Sequence, residues 1–132
     1  MARHLIDANV ILRYLLRDNE KLFKRASELL ERVKVGDEKV IIPECVLAEC
    51  VFVLQKIYKV ERRVIADKLK GLLSYKGVIN PDKNELTDSF NLFDKTQLSI
   101  VDCILCARSI NSGNPLFTFD DELKNICNKK SH

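Results

Sequence analysis

The sequence predicts an α/β fold, a parallel sheet of short strands with helices on both faces. Three observations carry that reading. Short apolar runs rich in β-branched and aromatic residues recur, each stopped by a turn or helix signal. Between them lie longer stretches with apolar residues at helical spacing. Gly and Pro number only 4 and 3 in 132 residues, too few for collagen-like, linker-rich or most all-β chains.

His4-Leu5-Ile6 reads as the first strand and runs straight into Asp7-Ala8-Asn9, with a helix over Val10 to Arg17. Leu22, Ala26, Leu29 and Val33 fall at i, i+4, i+7 and i+11 and define a second helix, ended by Gly36-Asp37. Lys39-Val40-Ile41-Ile42 is a strand stopped by Pro43. A helix with one wide apolar face follows over 46–58, and an amphipathic helix over Glu61 to Tyr75, ended by Gly77. Val78-Ile79 is a weak third strand before Asn80-Pro81. Leu86, Phe90 and Phe93 mark another helix, and Val101 to Ile110 one more. After the turn Asn111 to Asn114, Pro115-Leu116-Phe117-Thr118-Phe119 reads as a strand and Asp120 to Asn128 as a closing helix. No repeat and no second domain is visible.

The chain carries 22 Lys+Arg against 19 Asp+Glu, net +3, so binding a polyanion would need a local basic patch rather than bulk charge. The start, Met1 to Asn9, has Asp7 where a signal peptide would be apolar, so the expectation is a soluble cytoplasmic protein. Five cysteines, an odd number, argue against a disulfide framework and for reduced, mostly buried thiols. Cys103-x-x-Cys106 lies in an apolar run and lacks the second close pair a zinc site wants.

Four acids stand out. In an open parallel sheet, ligands bind beyond the carboxyl ends of the strands. Asp7 and Asp120 sit at two such ends, Glu49 lies about two turns into the helix leaving the second strand, and Asp102 is in the first turn of its own helix. Each of three also has a structural reading. Asp7 fits a helix cap, while Ser99-x-x-Asp102 and Thr118-x-x-Asp121 fit capping boxes, with Asp120 a neighbouring cap. Glu49 does not, being the only charge between Cys45 and Gln55. Such a carboxylate either escapes to solvent or meets a cation. Two carboxylates ~5 Å apart repel by ~3 kcal/mol at an effective dielectric of ~20, so a cluster of four calls for divalent cations. All-oxygen ligands favour Mg²⁺ or Mn²⁺, ions that assist phosphodiester hydrolysis.

At these residues the sequence resembles PIN-domain ribonucleases, especially the VapC-type toxins of type II toxin–antitoxin systems. The resemblance runs from about residue 4 to 125. It rests on Ile6-Asp7-Ala8-Asn9 through Leu15, Val46-Leu47-Ala48-Glu49 through Leu54, Asp102-Cys103 through Ala107, and Leu116 to Asp120. It implies one PIN domain over residues 1–132 and a strand order of 3-2-1-4-5, here four to five short strands. It also implies a Mg²⁺- or Mn²⁺-dependent site, catalytic and metal-binding, at Asp7, Glu49, Asp102 and Asp120, with Asn9 and Thr118 as its small polar positions. A homodimer is common in the family. Ala8 replaces the usual Thr, Ser99 stands where many members have another acid, and Asn128 to His132 does not read as a final strand.

Arg13 follows Asn9 by one helical turn, so the two share a face, and Arg13 is the expected phosphate contact on an RNA substrate. Arg17, Lys21, Lys24 and Arg25 continue that basic region. A toxin needs a cognate antitoxin, expected to lay an apolar helix between the 10–16 and 46–58 helices and to reach the acids with Arg or Lys. Two other classes stay open. One is a PIN-like protein-binding module without activity. The other is a haloacid-dehalogenase-like phosphatase with Asp7 as nucleophile, although that family expects a second Asp at Asn9 and gives Glu49 no role.

Overall fold

Two strands, β1 (His4–Leu5) and β2 (Val40–Ile41), pair in parallel with His4 opposite Val40 and Leu5 opposite Ile41. The computed structural model describes residues 3–130, and within them these strands accompany seven helices. The chain divides into two compact units, Met1–Lys83 and Asn84–His132.

In the first unit, α1 (Ala8–Leu16) leaves β1 through Asp7, which caps it. Arg17 then turns the chain in the left-handed region, at φ 52. α2 (Glu20–Val35) starts at the Asn19 cap, where Oδ1 accepts from the Leu22 amide at 3.0 Å, and ends at left-handed Gly36. α3 (Glu44–Lys56) follows Pro43, and α4 (Arg62–Leu73) completes the unit. α1 packs on α2 and α3, and α3 on α4. Their contact faces bury Ile11, Leu30, Leu47, Ile65 and Leu69 completely. Gly77 passes so close to the neighbouring chain that a Cβ there would run into the carbonyl oxygens of Val33 and Glu38.

The second unit holds α5 (Lys83–Lys95, whose first residue belongs to the first unit), α6 (Ile100–Ser112) and α7 (Asp121–Lys130). Ser99 caps α6 by accepting from the Asp102 amide at 3.1 Å, one half of a capping box. α6 packs on α7, and Arg108 on α6 pairs with Glu85 on α5 at 2.8 Å. Phe90, Phe93, Cys103 and Cys106 are buried here. All five cysteines are free thiols, four of them buried and Cys45 exposed.

The helices fall where the apolar spacing predicts them, within a few residues. The sheet is smaller than the four to five strands expected, for two physical reasons. Val78 makes only an isolated parallel bridge to Val40, because the next residue pair is served by a side chain. Asn80 accepts from the Ile42 amide at 2.9 Å and donates to the Ile42 carbonyl at 2.7 Å, doing the work of a third strand. Pro115 to Phe119 forms no ladder at all. Pro115 lacks an N–H, and Phe117 and Phe119 turn outward, 86% and 91% exposed, edge-to-face on each other. Whether a strand forms beyond Lys130 lies outside the described residues. Among those residues, no helix is long and apolar enough to cross a membrane.

Candidate active site

Asp7 ends the extended segment after β1 with φ −91 and ψ 165, the backbone of a helix N-cap. Its Oδ1 accepts from the amides of Asn9 at 2.7 Å and Val10 at 3.3 Å. Its Oδ2 accepts from no described residue, and the side chain faces solvent. Asp7 therefore caps, and still has a carboxylate oxygen to offer.

Glu49 lies on α3, exposed, with no ion pair or hydrogen bond among the described residues. Of the two outcomes open to a lone charge on this helix, it takes solvent. The burial cost that would demand a cation is therefore absent, and what remains is an uncompensated exposed carboxylate. Asp7 and Glu49 are nonetheless neighbours of one group. The Cys50 thiol is buried, its sulfur 3.9 Å from the Ala8 carbonyl oxygen. Burial pushes that thiol up to about 12, and the negative charges of Glu49 and Asp7 push in the same direction. Both carboxylates thus bear on the junction of α1 and α3.

Asn9 is exposed on the first turn of α1. Arg13, one turn on, is mostly buried, and its Nη1 donates to both oxygens of Asp18 at 2.8 Å. The Tyr58 hydroxyl donates to the same carboxylate at 3.0 Å. The Arg13 Nε is buried with no acceptor. Sequence reasoning missed Asp18 and Tyr58 as partners of Arg13. Asp18 reaches back only because Arg17 adopts a left-handed backbone, which no glycine or asparagine there announces.

In the second unit, Asp102 stands half-buried in the first turn of α6, its carboxylate without a partner among the described residues. Asp120 caps α7, Oδ1 accepting from the Leu123 amide at 3.0 Å. The Thr118 hydroxyl accepts from the Asp120 amide at 3.1 Å. The cap at α7 is therefore Asp120, with Thr118 fixing it from behind.

Within each unit, among the described residues, no three His, Cys, Asp or Glu side chains form a metal-holding group. The Asp7 and Glu49 donors suit a hard divalent cation all the same. Mg²⁺ is commonly held by one or two carboxylates, with waters and substrate phosphate completing its octahedron. Neither carboxylate here is spent on a Lys or Arg.

The PIN domain family model matches residues 4–129. Over 109 residues, 83% of this chain and 80% of the relative, the chain is 27% identical to a VapC ribonuclease of Aquifex aeolicus (strain VF5). No solved structure matches.

Proposed function

The chain belongs to the PIN domain family, and from that membership we propose that it is a metal-dependent endoribonuclease, the toxin of a toxin–antitoxin pair. The likeness to a VapC ribonuclease over most of both chains supports the reading. The observation that carries the chemistry is the pair Asp7 and Glu49, two carboxylates without cations that both bear on Cys50. Asp102 and Asp120 are the remaining acids assigned to the reaction.

Bound at Asp7 and Glu49, Mg²⁺ or Mn²⁺ would supply Lewis acidity toward the phosphodiester and make water a stronger acid. The amides of Asn9 and Val10 fix Asp7 through Oδ1 and leave Oδ2 for a ligand. Glu49 offers an exposed, unpaired carboxylate from α3. Asp18 and Tyr58 clamp the Arg13 guanidinium in one orientation, so that it meets a backbone phosphate at little cost in side-chain entropy. Asn9 and Thr118 are the small polar contacts of the substrate. The partners proposed are RNA, a second copy of the chain, and an antitoxin protein whose Arg or Lys competes for the acids. The expected compartment is the cytoplasm.

Purified protein incubated with RNA tests the reading. Cleavage in Mg²⁺ or Mn²⁺ that stops with EDTA is the expected result. Cleavage that survives thorough chelation removes the metal mechanism. A protein that cuts no RNA in either metal contradicts the ribonuclease reading.

A further inference from the structure

Between α1 and α2 the first unit carries a pocket of about 290 Å³ that combines polar and apolar side chains. Asn9, Val10 and Arg13 line it from α1, and Leu22, Arg25, Ala26 and Leu29 from α2. No acid lines it. Arg25 is exposed and has neither a carboxylate nor a hydrogen-bond partner among the described residues. Arg13 spends Nη1 on Asp18, yet its Nε is buried without an acceptor. Asn9 joins the pocket to Asp7, whose Oδ1 holds the Asn9 amide at 2.7 Å.

A ligand for this pocket needs both an anion with several acceptors and a flat or apolar surface. Guanidinium forks match phosphate oxygens in pairs, and a volume near the lower end of small-ligand sites admits one small unit. A nucleotide has both halves, a phosphate and a base or sugar face. The connection through Asn9 to Asp7 sets such a unit beside an acid of the proposed reaction. We infer that the pocket seats one nucleotide of a single-stranded RNA substrate, with Arg25 as the phosphate anchor. Arg25 is a positioning residue, and the assignment rests on the ribonuclease reading.

Binding separates it from that reading. Anisotropy of a labelled six-nucleotide single-stranded RNA is followed in EDTA across a salt series, with cleavage in Mn²⁺ measured apart. Arg25→Ala should weaken binding about tenfold, the equivalent of one charge-assisted hydrogen bond. It should also lower the slope of log affinity against log salt by ~0.7, one phosphate contact on a single strand. Arg25→Lys should keep the slope, and both variants should melt like the parent, since Arg25 holds nothing in the fold. Wild-type affinity and slope in Arg25→Ala overturn the assignment, as does a wild type that binds no RNA. An affinity loss with unchanged slope overturns it too, because Arg25 would then act through structure. If Arg25→Ala binds and cuts like a wild type that is active, the pocket falls and the ribonuclease stands. If RNA binds through Arg25 but is never cut, the ribonuclease falls and the pocket stands.

Discussion

The Cys50 thiol lies 3.9 Å from the carbonyl oxygen of Ala8, and this contact joins α3 to α1 one residue beyond Glu49 and Asp7. A buried sulfur therefore sits within reach of both acids' charge, and burial first, then Glu49 and Asp7, oppose its thiolate. It packs between the helices and offers no nucleophile.

Thiol labelling checks this. At pH 8 a maleimide should modify Cys45 alone in the native protein, and all five cysteines only after unfolding. Fast native labelling at Cys50 would contradict the packing of α1 on α3.

Arg13 and Asp18 give a stability prediction. Asp18→Ala removes both acceptors of Arg13 Nη1 and the acceptor of the Tyr58 hydroxyl. Because Arg13 is mostly buried, the loss should be about 1–2 kcal/mol in urea unfolding. Tyr58→Phe, which removes one exposed donor, should cost less. A change in Asp18→Ala no larger than that of an ordinary surface substitution would mean the pair contributes nothing.

Tyr14 predicts a pH dependence. Its hydroxyl is 2.8 Å from that of Tyr75, and burial first, then this hydrogen bond, raise its pKa well above the usual phenol range. The folded state keeps the proton after the unfolded state has lost it. Stability from this group is thus complete below the unfolded value of ~10 and falls as pH rises beyond it. Urea midpoints between pH 9 and 11 should decline more steeply for wild type than for Tyr14→Phe. Parallel curves would show that Tyr14 titrates freely.

The helices were legible because burial imposes a period, and α2 shows how far that goes. Of its predicted face, Ala26 and Val33 are buried, while Leu22 and Leu29 turn toward the pocket and Leu30 takes the core. The sheet was less legible, because strands are completed by partners rather than by their own residues. Nothing about Asn80 announces that its amide will bond both backbone groups of Ile42. Pro115 to Phe119 has the composition of a strand and lacks a ladder. At the site, the capping readings of Asp7 and Asp120 both hold, and capping does not exclude chemistry, since each cap uses one carboxylate oxygen. Glu49 was legible as a lone charge, and its choice of solvent was not.

The central claim, that these acids work beyond their structural roles, is tested most directly by Asp7→Asn assayed for RNA cleavage and unfolding together. Asparagine keeps the oxygen that accepts from Asn9 and Val10 and caps about as well as aspartate, so the urea midpoint should stay close to wild type. Glu49→Gln, at an exposed and unpartnered position, should shift stability by no more than about 0.5 kcal/mol. Both variants should lose Mn²⁺-dependent cleavage by at least about a hundredfold, as for loss of a charge-stabilising catalytic group. Wild-type cleavage rates in a stably folded Asp7→Asn protein would contradict the account.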